Sequence, residues 1–86
     1  MPEISRFLGI VIKMFYKDHN PPHFHVEYQE YKAVIRISDF ALLEGKLPPK
    51  IHGLVVEWSS LHQEELSKDW DLAKNQSPLF KIDPLE

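Results

Sequence analysis

The residues best suited to chemistry lie in one short run, Asp18-His19-Asn20-Pro21-Pro22-His23-Phe24-His25. The run places three histidines and one carboxylate within eight residues. Imidazole changes its charge near neutral pH and also ligates transition metals. Proline fixes its own φ and pushes the preceding residue toward extended geometry, so the two prolines stiffen the middle of the run. These features predict a site held in a rigid turn.

One candidate use of the run is metal binding. His23 and His25 are two residues apart, so on a β-strand their side chains project to the same face. Asp18 or His19 would complete a three-ligand site and leave one position open for water or substrate. The sequence does not require a cofactor. If a divalent metal binds, its candidate ligands are His19, His23 and His25.

A second candidate use is anion binding. The strand register predicted below places Arg36 directly across from His23, and a guanidinium disfavours a divalent cation while it favours phosphate or carboxylate. Lys13 adds a further positive charge to the same face. The candidate ligand-binding residues are therefore Asp18, His19, His23, His25, Arg36 and Lys13.

Two further interpretations of the run stay open. His19 with Asp18 has the composition of a general acid–base pair. Alternatively, the histidines satisfy backbone groups in a loop whose prolines lack donors, and Asp18 caps a turn.

The elements around the run are predicted from alternation of apolar residues. Residues 7–16 are rich in β-branched and aromatic types and predict one strand. Residues 24–28 and 31–37 both alternate, and the two residues between them predict a hairpin. In this register Tyr28 faces Tyr31, Val26 faces Ala33, and Phe24 faces Ile35 on the core side. The opposite face pairs Glu27 with Lys32, His25 with Val34, and His23 with Arg36.

The second half of the chain predicts a short edge segment and then helix. Residues 39–47 read as a turn, the edge segment and another turn, and apolar residues recur at helical spacing over 49–75. A single helix of that length would span about 40 Å, which exceeds the roughly 30 Å of a domain this size. We therefore expect a break near 59–63, with a capping box of Ser60 and Gln63. Residues 79–82 predict a terminal strand or a docking tail.

The predicted fold class is α+β. A small antiparallel sheet of three or four strands is covered on one face by one bent or two C-terminal helices. Trp58 and Trp70 are expected in the core. The proline-stiffened turn is expected to deliver its imidazoles to the sheet face that the helices leave uncovered.

Composition is typical of one small domain, residues 1–86. The chain has no cysteine and a formal net charge of −3, which excludes disulfides and zinc–thiolate sites and gives no global attraction to nucleic acid. The N-terminal residues lack the basic and apolar regions of a signal peptide, so we expect a cytoplasmic protein that does not associate with membranes.

Six short segments accompany the histidine-proline run: Pro2-Glu3-Ile4-Ser5-Arg6-Phe7, Gly9-Ile10-Val11-Ile12, Leu47-Pro48, Glu57-Trp58, Leu61-His62 and Pro78-Leu79. Together with that run, they resemble the small bacterial family 4160 among the domains of unknown function. The resemblance implies a stand-alone domain, often encoded beside another small protein, and hence a protein partner of toxin–antitoxin type. It implies no established activity.

Two functional hypotheses follow. The first is a small binding or regulatory module that acts with a co-encoded partner protein and contacts an anionic group, nucleic acid included, through its histidine-rich loop. The alternative is a small histidine-dependent or metal-dependent phosphodiesterase or ribonuclease, in which histidines transfer protons and Arg36 stabilises the transition state. The absence of a complete catalytic motif favours the module, and the sequence leaves open whether the protein is an enzyme.

Overall fold

The computed structural model describes residues 3–85, which form one antiparallel sheet followed by two helices. The strands lie side by side in chain order. They are β1 (Glu3–Phe7), β2 (Ile10–Lys13), β3 (His23–Tyr28), β4 (Tyr31–Arg36) and β5 (Leu42–Gly45), and the helices are α1 (Pro49–Leu61) and α2 (Gln63–Lys74). The predicted α+β class is confirmed. The predicted strand number is wrong, because the described residues form five strands rather than three or four.

The additional strand comes from a turn inside the segment predicted as one strand. The chain reverses at Leu8 and Gly9, whose φ values are 52° and 81°, and β1 then pairs with β2. Positive φ at both central residues is the requirement of the commonest two-residue hairpin turn. Leu8 therefore lies at the turn with its side chain 65% exposed, while Ile10 and Ile12 are fully buried.

The central hairpin has the predicted register. All six predicted pairs of β3 and β4 are observed, from His23 opposite Arg36 to Tyr28 opposite Tyr31. Gln29 supplies the positive φ of the loop, at 52°, although it is not a glycine. β3 is the middle strand of the sheet. Phe24 and Val26 are buried on its face toward the helices, and its histidines occupy the alternate positions.

The predicted edge segment is confirmed as β5, which pairs with β4 and is exposed along its whole length. Gly45 has a φ of 77°, and a Cβ at this position would lie 2.0 Å from the carbonyl oxygen of Lys32. Only glycine fits this close approach without displacing the backbone.

The predicted break in the helical segment over 49–75 is confirmed. The Cα atoms extend only 33 Å along their longest axis, and α1 ends at Leu61 while α2 begins at Gln63. The predicted capping box is wrong, because the Ser60 hydroxyl donates to the carbonyl of Glu57 at 2.8 Å and no side chain among residues 3–85 caps α2. The Gln63 amide instead donates to the carbonyl of Ile37 at 2.8 Å and so ties the start of α2 to the sheet.

The core lies between the helices and one face of the sheet. Trp58 and Trp70 are both buried, as predicted, and the ring of Trp58 lies 6.1 Å from that of Phe24. The segment over 79–82 is a docking tail rather than a strand. Ile82 is buried, and its N–H donates to the carbonyl of Ile4 at 2.8 Å. Neither helix is long and apolar enough to cross a bilayer, within the part of the chain that the structure describes.

Candidate metal centre

The loop between β2 and β3 carries Asp18 back to the start of β3. Its Oδ2 atom lies 2.8 Å from Nε2 of His23 and 3.1 Å from Nε2 of His25. One ligand atom from each of the three residues lies within 4.8 Å of the other two. The cluster of Asp18, His23 and His25, called the triad below, is therefore compact enough to hold one metal ion.

Strand geometry positions the two histidines, and the aromatic residues around them hold their rings. The side chains project together because they alternate along β3. Phe15 meets the His25 ring edge-on, with centroids 4.2 Å apart and planes at 81°. Trp70 of α2 lies against the His23 ring at 5.1 Å. Only the carboxylate reaches the triad from a loop.

The triad lies at the margin of the helical layer. The expectation that the imidazoles lie on the uncovered face is wrong for His23, which is 3% exposed because Trp70 covers the start of β3. The side chains of His25 and Asp18 keep 25% and 18% exposure. Solvent therefore reaches the triad from the side of Asp18 and His25 and not from the side of His23.

Hydrogen bonds keep the Asp18 carboxyl ionised. Burial raises its pKa, but the hydrogen bonds from His25, from the backbone N–H of His19 and from His23 outweigh burial and bring the pKa down to about 2. A carboxylate that accepts several hydrogen bonds is stabilised in its charged form. The triad therefore contains a full negative charge at neutral pH.

Both ring nitrogens of His23 face acceptors. Its Nδ1 lies 2.7 Å from the carbonyl oxygen of Pro21, and its Nε2 faces the ionised Asp18. Neither partner has a proton to donate. A cation between Nε2 and the carboxylate would satisfy both of these groups while Nδ1–H donates to Pro21. A backbone carbonyl on the second ring nitrogen is the usual support of a histidine that ligates metal.

Of the six predicted candidate residues, three form the triad, His19 lies beside it, and the two cations pair with other residues. His19 is outside the triad, since its ring is 80% exposed and its Nδ1 contacts the other carboxylate oxygen, Oδ1 of Asp18, at 3.0 Å. The predicted metal ligands were His19, His23 and His25. In the structure Asp18, and not His19, converges with the other two.

The two predicted cations are engaged elsewhere. Arg36 lies opposite His23 in the register, but its guanidinium donates two hydrogen bonds to Asp39, at 2.8 and 2.7 Å. The hydrogen bonds from Arg36 and from a backbone N–H bring the pKa of Asp39 down to about 2. Lys13 forms an ion pair with Glu27 at 3.1 Å.

Some residues of the site carry no local sequence signal. The spacing of three between Arg36 and Asp39 could have indicated their ion pair, but nothing near the histidine run indicates Trp70, which lies 47 positions after His23. Its Nε1–H is buried without a hydrogen-bond partner among residues 3–85. Its ring position depends on the packing of α2.

A cleft of about 480 Å³ adjoins the triad on the outer face of the sheet. His25 forms part of both the cleft wall and the triad. The remaining lining residues are Phe15, Val26, Glu27, Lys32, Ala33, Val34, Glu44 and Gly45.

The fold and site define a small α+β protein in which the third strand of a five-stranded meander carries a paired-histidine and carboxylate cluster. The chain belongs to the family described as domain of unknown function DUF4160, whose model matches residues 9–71. The resemblance drawn from the histidine-proline run and the other quoted segments is confirmed, and the matched region contains the whole triad. No curated protein and no solved structure gives a significant match to the chain.

Proposed function

We propose that this protein is a small binding module whose ligand is a divalent transition-metal ion held by Asp18, His23 and His25. The observation that carries the proposal is the convergence of their three ligand atoms within 4.8 Å. Two imidazoles and one carboxylate form a donor set that zinc, iron, cobalt or nickel accepts, whereas magnesium and calcium prefer oxygen alone.

The surroundings of His23 support this proposal. When Nδ1–H of His23 donates to the Pro21 carbonyl and Nε2 carries no proton, the Nε2 lone pair points toward Asp18. A dication at that point would satisfy the lone pair and the carboxylate together. Packing of His23 against Trp70 and of His25 against Phe15 would hold both ligands in place before the metal binds.

The anion-binding interpretation has less support. It depended on free positive charge from Arg36 and Lys13, and both side chains form ion pairs with carboxylates. An action together with a co-encoded protein partner stays a prediction that rests on the family resemblance. The phosphodiesterase or ribonuclease alternative also stays a prediction, and its metal-dependent form would need a water molecule on the same metal ion.

Metal titration of the purified full-length protein tests the proposal. After chelation and dialysis, isothermal titration with Zn²⁺ and Co²⁺ should show one bound ion per chain. His25→Ala should weaken binding by about 100-fold or more, since loss of even a supporting residue of a metal site costs about 10–100-fold. His52→Ala is the matched control, because His52 lies on α1 outside the triad. Equal loss in both variants, or no binding by the parent, would exclude the triad as a metal site.

A further inference from the structure

We infer that the metal centre is open and binds an exogenous oxyanion, and that the cleft beside His25 receives the apolar body of the molecule carrying this oxyanion. The inference rests on the proposed function, since the oxyanion would bind through the metal ion. The ligand that this module recognises is a small phosphate ester or carboxylate with an aromatic or aliphatic body.

The number of protein ligands supports an open centre. Within residues 3–85 the triad offers three ligand atoms, and the chain contains no cysteine that could add a thiolate. Zinc and cobalt in such sites take at least four donors. A site with three protein ligands leaves the remaining position to water or substrate.

Burial determines from which side that position is reached. Trp70 closes the side of His23, whereas Asp18 and His25 remain partly exposed. An incoming ligand therefore approaches along His25, and His25 is also a wall of the cleft. The open position and the cleft are neighbours through this one side chain.

Charge determines the sign of the ligand. A dication bound by one ionised carboxylate and two neutral imidazoles leaves a net charge of +1 at the centre. The carboxylates of Glu27 and Asp39 already pair with Lys13 and Arg36 and do not compensate this charge. An oxyanion with one negative charge would neutralise the centre.

The cleft determines the rest of the ligand. Its accessible surface is mostly apolar and includes Phe15 and Val34, with the charged side chains of Glu27, Lys32 and Glu44 around them. A volume of about 480 Å³ exceeds that of a bare phosphate and accommodates a phenyl-sized group. Removing such a group from water would add to affinity in proportion to the apolar area buried.

Cobalt spectroscopy tests the inference. The Co²⁺-loaded full-length protein is titrated with inorganic phosphate, phenyl phosphate, acetate and benzoate while its visible d–d spectrum is recorded. Each oxyanion should change the spectrum in a saturable manner. Phenyl phosphate should bind about tenfold more tightly than inorganic phosphate, and benzoate should bind about tenfold more tightly than acetate. A tenfold difference in affinity corresponds to about 1.4 kcal/mol. Tighter binding of phenyl phosphate than of benzoate assigns the ligand to phosphate esters, and the reverse assigns it to carboxylates.

A variant in the cleft separates its contribution from that of the metal. Val34→Asp should reduce the ratio of phenyl phosphate to inorganic phosphate affinity below about threefold, since a buried phenyl would meet a new carboxylate. Val34→Thr should also lower this ratio, and it replaces Val34→Asp in the test if the aspartate variant does not fold. The spectrum without oxyanion reports whether each variant keeps its metal centre. Leu61→Asp, at an exposed leucine of α1, is the control that should preserve the ratio.

Two results would overturn the inference without touching the proposed function. A Co²⁺ spectrum that no oxyanion alters would mean a closed centre, although metal binding itself would stand. Equal affinities for phosphate and phenyl phosphate would exclude the cleft as part of the site. Failure of Co²⁺ to bind at all would instead refute the metal proposal.

Discussion

Asp18 and Asp69 are two aspartates withdrawn from solvent, and their carboxyl groups respond in opposite ways. The hydrogen bonds of Asp18 from His25, His19 and His23 overcome its burial and bring its pKa to about 2. Burial raises the pKa of Asp69 to about 6, helped by the charge of Glu65 and opposed by one hydrogen bond from a backbone N–H.

The difference between the two aspartates lies in their donors. Asp69 Oδ1 accepts from the backbone N–H of Phe80 at 3.1 Å, whereas its Oδ2 has no partner among residues 3–85. Burial alone disfavours a carboxylate, and only donors aimed at it reverse that preference. Asp18 is therefore ionised in the folded protein and is suited to act as a metal ligand, whereas ionisation of Asp69 destabilises the fold.

The largest predicted effect concerns metal-linked stability. Zn²⁺ at about 100 times its dissociation constant should raise the free energy of unfolding by about 2.7 kcal/mol. Asp18→Asn should abolish this gain, because the amide carries no negative charge, whereas Asp69→Asn should retain it. Urea denaturation with and without Zn²⁺ measures both. A gain that survives in Asp18→Asn would break the distinction between the two carboxylates.

The next effect concerns Asp69 and pH. A folded-state pKa of about 6, above the ordinary 3.8, means that the stability contributed by the protonated group is complete below about pH 4. That stability is lost as the pH rises through 6. The shift corresponds to about 3 kcal/mol, and Asp69→Asn should recover about 2 kcal/mol of it at pH 7.5, since the new amide N–H₂ lacks an acceptor.

Urea denaturation of the parent and of Asp69→Asn at pH 4 and pH 7.5 checks this prediction. Titration of the other groups cancels in the difference between the free energies of unfolding of the two proteins. The prediction fails if the variant is less stable than the parent at pH 7.5, or if the difference does not change with pH.

The two histidines of the triad should contribute unequally to stability without metal. His23→Ala should lower the free energy of unfolding by about 2 kcal/mol, since it empties a buried position and leaves the Pro21 carbonyl unpaired. His25→Ala should cost less than about 1 kcal/mol because its ring is partly exposed. Chemical denaturation of both variants in the presence of a chelator compares them, and equal losses would contradict the burial difference.

The smallest effect is expected at Asp39. Its pKa is as low as that of Asp18, but it owes this to an exposed ion pair with Arg36. Exposed ion pairs contribute little because water screens them. Arg36→Gln should leave both the melting temperature and the Zn²⁺ affinity nearly unchanged. A large loss of Zn²⁺ affinity would mean that Arg36 supports the triad.

Much of the fold is determined by local sequence pattern. Alternation over 24–28 and 31–37 set the hairpin register, because a slip of one residue would expose every buried side chain of the pair. The length of the 49–75 segment required a break, since an unbroken helix would exceed the diameter of the domain. The histidine-proline run and the other quoted segments together identified the family.

The turn at Leu8 and Gly9 was missed, although glycine is a local signal. Apolar residues continue on both sides of the turn, so hydrophobicity alone does not separate β1 from β2. The capping box failed because Gln63 bonds to Ile37, a partner that lies 26 residues away. The first error arises where positive φ decides the backbone, and the second arises where a distant hydrogen-bond partner decides it.

The sequence by itself placed the two histidines on one side of a strand, since that follows from the two-residue period of β-structure. Only the tertiary structure decided that Asp18 meets them, that Trp70 covers His23, and that Asp69 is buried with one oxygen unpaired. These contacts join residues from the loop, the sheet and the second helix. They depend on how α2 packs and how the loop closes, and no periodicity along the chain encodes either.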